Sequence, residues 1–293
     1  MILVTGSSGL IGKEVVKQLE RSGEQVRTFD IKDGQTIMDM NALSKAMKGC
    51  DYVVHLAAEL GVWNTENERL SCLRVNINGT SNVLESCAKE GIKKIIFSSS
   101  SEIYGEQRII PITENNPHNP RSIYAITKLA GEEMMRAYSE RYGFDYSIVR
   151  FFNVYGPGQR LDFVLPSFVD SVINDKSPVL YGDGQQKRCF CHVSDAVRGM
   201  ILALFNKSNG EIFNIGNDEE PITIEGLANK IISISGKDIK TEFIPMKKSD
   251  RLENREIYNR IPDIKKAKII LGYSPRIHLV DGIKEMIGDI KDV

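Results

Sequence analysis

Ile2-Leu3-Val4-Thr5-Gly6-Ser7-Ser8-Gly9-Leu10-Ile11-Gly12-Lys13-Glu14-Val15-Val16-Lys17-Gln18-Leu19-Glu20 is the stretch that decides the fold. Ile2 to Thr5 reads as a buried strand, the three glycines at GxxGxxG spacing as a tight turn, and Ile11, Val15 and Leu19 as one buried face of a helix over Ile11–Glu20. In such a unit the glycines let the backbone approach a pyrophosphate, and the helix N-terminus turns unpaired amides toward it. Gly12-Lys13-Glu14 does not supply GK followed by Ser or Thr, so the turn is not the phosphate loop of a nucleoside triphosphatase. Asp30 ends the next strand, Val26–Asp30, about 20 residues beyond the glycines, where a carboxylate accepts from both ribose hydroxyls of an adenosine and repels a 2′-phosphate. Lys32 is the nearby cation that argues the other way. The expected dinucleotide is NAD.

Working outward, strands at Tyr52–Leu56, Ile95–Ser98 and Tyr146–Arg150 alternate with helices at Val75–Lys89 and Tyr124–Tyr142. That alternation predicts an α/β protein with a Rossmann-type doubly wound parallel sheet. Beyond about Gly156 the texture changes, with Gly156-Pro157-Gly158, Tyr181-Gly182-Asp183-Gly184 and Pro245 punctuating shorter elements. Residues 1–160 are expected to form the NAD-binding domain and 161–293 a smaller mixed α/β substrate lobe, some of whose C-terminal segments return to the first domain.

The 293 residues are 41% hydrophobic, with 38 basic and 39 acidic side chains and a net charge of −1. A near-neutral chain without a basic block lacks the footprint for nucleic acid or an anionic membrane. Apolar runs such as Val53–Ala58 are strand-sized, well short of the roughly 20 residues of a membrane-spanning helix, and no apolar leader precedes the first strand. A cytoplasmic protein is expected. Cys50, Cys72, Cys87, Cys189 and Cys191 are odd in number and scattered, which argues against a disulfide framework. Cys189 and Cys191 share a strand face from which His192 points away, so no metal is expected there.

Tyr124-Ala125-Ile126-Thr127-Lys128 sets a phenol and an ammonium one helical turn apart. A Lys cation and an oxidised nicotinamide both favour the phenolate and bring the phenol toward use as a base.

These features, with His55-Leu56-Ala57-Ala58, Asn76-Ile77-Asn78-Gly79-Thr80, Ser98 to Gly105, Arg150 to Pro157, Gly182-Asp183-Gly184 with Arg188, Pro262-Asp263-Ile264 and Leu271 to Pro275, resemble the extended short-chain dehydrogenase/reductases. The likeness is to the nucleotide-sugar epimerases and dehydratases and spans nearly the whole chain. It implies a catalytic set of Ser100, Tyr124 and Lys128, with Glu102 beside them. It implies that Gly6, Gly9, Leu10, Ile11, Gly12, Asp30, Asp39, Met40, Leu56, Ala57, Ala58, Asn76, Ser98, Tyr124 and Lys128 hold NAD, Asp39 at the adenine end. Ser100, Asn153, Arg188, Arg251 and Arg260 are implied as contacts to a nucleotide-diphosphate sugar, and Gly61, Val62 and Trp63 as a substrate-facing loop. A homodimer paired through Val75–Lys89 and Tyr124–Tyr142 is implied as well.

The family's reactions begin alike, by oxidation at C4 of the hexose, and diverge at residues 101 and 102. A 4,6-dehydratase of the family carries Asp-Glu there, whereas this chain has Ser101-Glu102 and lacks the acid that expels water. Ser-Glu resembles the UDP-glucuronate decarboxylases, but those have Thr at the place of Ser100 and a longer loop than Gly158 to Phe163. The sequence alone therefore puts a UDP-hexose 4-epimerase first, with a decarboxylase or dehydratase using Glu102 as the alternative. A 4-keto-sugar reductase and a non-catalytic NAD-binding protein stand as further readings.

Overall fold

The computed structural model describes residues 1–61, 65, 67–248 and 256–291. In chain order the strands are β1 (Ile2–Thr5), β2 (Val26–Phe29), β3 (Tyr52–His55), β4 (Lys94–Ser100), β5 (Asp145–Phe151), β6 (Val154–Tyr155), β7 (Val179–Tyr181), β8 (Lys187–Arg188), β9 (Cys191–His192), β10 (Glu211–Ile215), β11 (Ile222–Thr223), β12 (Glu242–Ile244) and β13 (Asn259–Arg260). The helices are α1 (Leu10–Arg21), α2 (Met40–Met47), α3 (Arg69–Leu73), α4 (Gly79–Glu90), α5 (Ile123–Tyr142), α6 (Val164–Ile173), α7 (Val193–Phe205), α8 (Ile224–Ser235), α9 (Lys265–Leu271) and α10 (Leu279–Lys291).

Six strands form one parallel sheet in the order β10-β5-β4-β3-β1-β2. Burial on both faces explains why β1 reads as an unbroken apolar run rather than an alternating one. Val15 and Leu19 of α1 pack with Ala196, Val197 and Met200 of α7 on one face; Leu43, Leu84 and Met135 of α2, α4 and α5 cover the other. A separate core of Phe168, Val169, Leu227, Ile231 and Ile283 joins α6, α8 and α10. The sheet also draws on the later chain, since β10 pairs with β5 from Glu211↔Ser147 to Ile215↔Phe151.

The strand order reverses between β1 and β3, so their C-terminal ends open a crevice of the kind that takes ligands in doubly wound sheets. Two elements depart from the sequence expectation. α2, capped by Asp39 through the amides of Asn41 and Ala42, is too short to show a clear apolar period. The helix expected over Val75–Lys89 instead starts at Arg69 and passes through a π-helical turn, Arg74–Asn78, before α4. No helix among the described residues is long and apolar enough to cross a membrane.

Candidate active site

At the crevice the glycine turn leaves β1 and enters α1. Gly6 adopts φ +72°, and a Cβ there would stand 2.7 Å from the Ala57 amide nitrogen, so the turn packs directly on the chain leaving β3. Gly12 is closed in by Gly6 and Ser7. Gly9 differs: a Cβ would come no nearer than 3.4 Å to protein, an ordinary contact. The chain's own packing does not require a glycine there, whereas a ligand lying on the turn would. No side chain caps α1, and Ser7 Oγ is buried without a hydrogen-bond partner in the same turn. First-turn amides, an orphaned hydroxyl and an open face fit a pyrophosphate. Asp30, buried at the end of β2, accepts from the amides of Ser8 and Lys32, both at 2.9 Å, which fixes its carboxylate beside the turn.

Leu56, Ala57 and Ala58 follow β3 and form the opposite wall, where the Leu56 amide bonds Thr5 O at 3.1 Å. Below them His55 is buried between Thr5 Oγ1 (2.8 Å) and Thr80 Oγ1 (3.1 Å), and burial and the Lys128 charge push its pKa down to about 3. Asn76 sits in the π turn. Its amide accepts from Glu59 N at 2.7 Å and donates to Glu59 O at 3.0 Å and Thr127 Oγ1 at 3.1 Å, tying the β3 loop to α5. Ser98 is buried in β4.

Ser100 ends β4, Tyr124 and Lys128 lie on the first turns of α5, and the structure brings all three together. Gly131 lets α5 approach this closely, because a Cβ there would overlap the Phe97 ring of β4. Lys128 Nζ stands 5.6 Å from the Tyr124 ring and 4.9 Å from Phe97, and burial pushes its pKa down to about 8. The Tyr124 phenol is held above its ordinary range, first by burial and then by Glu102 and Cys72, while a hydrogen bond with Ser100 opposes them. The expected lowering of this phenol is therefore not a property of the protein by itself. Burial, with the Glu102 carboxylate beside it, sets the sign in the protein itself.

Glu102 follows in the 3-10 turn Ser101–Tyr104, its amide donating to Ser100 Oγ at 3.2 Å. Its carboxylate accepts from Ser122 Oγ at 3.0 Å and faces Arg260 Nη1 at 3.8 Å. Arg260 and Arg188 are register partners on β13 and β8, so their side chains share one sheet face. Arg188 is buried, with Nη2 3.3 Å from Glu256 Oε1 and Nη1 donating to Lys187 O at 2.9 Å. Asn153, at φ +39°, donates to Cys189 O at 3.0 Å, next to Arg188.

Asp39 and Met40, at the start of α2, are exposed, and the Asp39 carboxylate accepts from the amides of Asn41 and Ala42. Arg251, Val62 and Trp63 lie outside the described residues. Gly61, at φ +105°, is described; a Cβ there would come 2.9 Å from Asp162 Oδ2, so the β3 loop meets the loop after β6. Sequence reasoning missed Glu256, and it missed the buried network behind the site. In that network Arg150 grips Glu132 through Nε (2.9 Å) and Nη2 (2.6 Å), Glu132 accepts from Ser99 Oγ (2.5 Å), and Arg150 Nη1 meets the Tyr104 hydroxyl (2.7 Å).

The sequence profile of the NAD dependent epimerase/dehydratase family matches residues 2–216. A UDP-N-acetyl-alpha-D-glucosaminuronate decarboxylase of Bacillus cytotoxicus is 33% identical, the alignment covering 99% of this chain and 98% of that one. The UDP-glucose 4-epimerase of Thermotoga maritima, solved with UDP-glucose, superposes with a TM-score of 0.92 at 31% identity, covering 99% and 98% of the two chains. The UDP-glucuronic acid 4-epimerase of Bacillus cereus, solved with UDP-glucuronic acid and NAD, gives 0.90 at 32%, covering 99% of each. The open glycine turn and the match over most of the chain lead to one conclusion: this protein belongs to the NAD dependent epimerase/dehydratase family, and its cofactor is NAD.

Proposed function

We propose that this enzyme oxidises C4 of a UDP-linked hexuronate and releases C6 as carbon dioxide. The observation that carries the reading is the Glu102 carboxylate, held by Ser122 and paired with Arg260, in the immediate field of Tyr124. The first step is the one expected from the sequence: Ser100 bonds the C4 oxygen and Tyr124 takes the hydroxyl proton. Gly6, Gly9, Leu10, Ile11, Gly12, Asp30, Ala57 and Lys128 hold NAD, which when bound supplies the two-electron acceptor at C4 and a positive charge beside Tyr124. A 4-ketone is β to the C6 carboxylate, so the C5–C6 bond breaks, its electron pair passes into a C4–C5 enolate, and carbon dioxide leaves. C5 then takes a proton from solvent water, and Tyr124 returns its own proton to the C4 oxygen as C4 is reduced.

Glu102 serves this course because a fixed anion beside the substrate carboxylate disfavours that charge and is indifferent to neutral carbon dioxide. Arg260 holds Glu102 in place and offsets the enolate. Arg188 and Asn153 hold the diphosphate. The Bacillus cytotoxicus relative, a decarboxylase by name, agrees in kind. The second reading is the 4-epimerase that the sequence put first, supported by the short passage from Gly158 to Phe163 and by the Thermotoga maritima enzyme. There the 4-keto sugar turns over and is reduced on its other face.

Incubation with UDP-glucuronate, UDP-N-acetylglucosaminuronate and UDP-glucose separates the readings. Carbon dioxide and a UDP-pentose from an acid substrate are expected; C4 epimers without carbon dioxide would replace the proposal by the second reading. A 4-keto-6-deoxy product would replace it by a dehydratase, and no turnover at all by a non-catalytic role. Glu102→Gln is expected to slow carbon dioxide release roughly 100-fold while C4 oxidation, followed as reduced cofactor, continues. The proposal also pairs two copies through Val75–Lys89, which ends in α4, and α5, where Ile126 and Tyr142 are exposed; sedimentation velocity tests it.

A further inference from the structure

We propose that Glu132 is a positioning residue for Lys128: a carboxylate fixed one helical turn behind it, by Ser99 and Arg150, keeps the lysine charged beside Tyr124. The inference rests on the reading that the Lys128 charge serves the Tyr124 phenol. Tyr124, Lys128 and Glu132 follow one another at four-residue spacing on α5, so all three lie along one helix face. The contacts of Lys128 with the Phe97 ring and of Glu132 with Ser99 turn that face to β4. Lys128 is 4% exposed and Glu132 0%, so water and salt screen the one from the other very little. The carboxylate is also held in one position. Ser99 Oγ donates to Oε1 at 2.5 Å, and Arg150 donates from Nε to Oε1 at 2.9 Å and from Nη2 to Oε2 at 2.6 Å.

Burial drives Lys128 toward the neutral amine and pushes its pKa down to about 8, against the pull of negative charge around it. That is close enough to neutrality for a neighbouring charge to decide its state. The titratable groups facing it are Cys72 from α3, His55 from β3, and Tyr124 and Glu132 from its own helix. Three of these are neutral in the working range. Cys72 would support the lysine only as a thiolate, and burial, with Glu59 beside it, pushes that thiol up to about 11. His55 is kept neutral by burial and by Lys128 itself, and the Tyr124 phenol is held above its ordinary range by burial. Glu132 is the standing negative charge that remains. Its pairing with Arg150 does not cancel the effect, because of the two it is the carboxylate whose field reaches Lys128.

The experiment follows the Lys128 side chain by nuclear magnetic resonance in the NAD-loaded full chain carrying isotope-labelled lysine, its signal assigned by its loss in Lys128→Arg. The pH dependence of kcat is measured beside it with the three UDP-sugars above. Glu132→Gln keeps an oxygen for Ser99 and removes the charge. The Lys128 titration midpoint is expected to fall by about one pH unit, tenfold in the ratio of charged to neutral lysine. The alkaline limb of kcat should fall with it, so that the deficit of the variant widens as pH rises. A lower melting temperature with the Lys128 midpoint unmoved is what a merely structural glutamate gives, and it would overturn the proposal. A midpoint that falls while the alkaline limb stays in place would instead sink the reading that the Lys128 charge serves Tyr124, and leave the action of Glu132 on Lys128 standing. Should Glu132→Gln not fold, Glu132→Gln combined with Arg150→Gln replaces the buried ion pair by two amides and must show the same fall in midpoint, or the proposal is lost.

Discussion

Two arginine–glutamate pairs are buried among the described residues, and they are built on different plans. Arg150 and Glu132 are 1% and 0% exposed, joined by two bonds, with Ser99, Tyr104 and His118 taking up further positions on the pair. Arg188 and Glu256 are 7% and 8% exposed and share one 3.3 Å contact at the cleft. Burial alone does not separate structure from site. The closeness of the contact does: Arg150 and Glu132 meet at 2.6 and 2.9 Å and lock α5 to β4 and β5, while Arg188 and Glu256 meet at 3.3 Å by the β8–β13 strand pair that also carries Arg260.

His55 provides the largest test of the saturated region. Both ring nitrogens are bonded to threonines, and the folded-state pKa is pushed down to about 3 from an ordinary 6.5. The unfolded chain therefore takes up the proton first as pH falls. The stability due to this group is complete above pH 6.5 and drains away toward pH 3, by up to about 5 kcal/mol at 1.36 kcal/mol per unit. Urea titrations from pH 7 to pH 4 should show a shallower loss in His55→Asn than in the wild type; parallel curves would mean that the imidazole opens to water before it titrates.

Arg150→Met comes next and bears on the comparison directly. It leaves Glu132 buried without its main partner and should cost roughly 3–5 kcal/mol in denaturant unfolding. Arg188→Met likewise leaves a buried carboxylate, Glu256, without this partner and should cost somewhat less, about 2–3 kcal/mol, because the two side chains meet at 3.3 Å rather than 2.6 Å. Equal costs would mean that contact distance does not distinguish the two pairs.

The same contrast governs what could be read from the sequence. The glycine turn and Asp30 were legible because a dinucleotide crevice is built from one strand, one turn and the end of the next strand, so its chemistry is local. Tyr124 and Lys128 were legible for the same reason, being one turn apart on a helix. Glu132 and Arg150 lie 18 residues apart on a helix and a strand, and Arg188 and Glu256 68 apart on segments that meet only through the β8–β13 register; neither pair leaves a spacing to find. The π turn at Arg74–Asn78 was invisible because one extra residue in a helical turn does not disturb an apolar pattern this sparse. Yet it places Asn76 where it can tie Glu59 to Thr127. Asp39 also caps α2, a local use that the sequence alone does not reveal.

Gly9 and Gly12 reduce the contrast between packing and ligand to a single methyl group. A Cβ at Gly12 would collide with Gly6 and Ser7, so Gly12→Ala has to spread the turn itself and should lower both melting temperature and NAD content. A Cβ at Gly9 meets only Gly6 O at 3.4 Å, and the Gly9 backbone, at φ −74° and ψ 171°, is one that alanine adopts without strain. Gly9→Ala should therefore leave apo stability within about 0.5 kcal/mol of the wild type, as expected where nothing in the fold is disturbed. Its NAD affinity should nevertheless fall if the pyrophosphate lies on this turn, because a methyl at the N-cap of α1 would narrow the approach to the first-turn amides. Isothermal titration of NAD beside urea unfolding of the apo protein distinguishes the two positions. Loss of stability without loss of affinity at Gly9 would mean that the glycine serves the turn and not the cofactor.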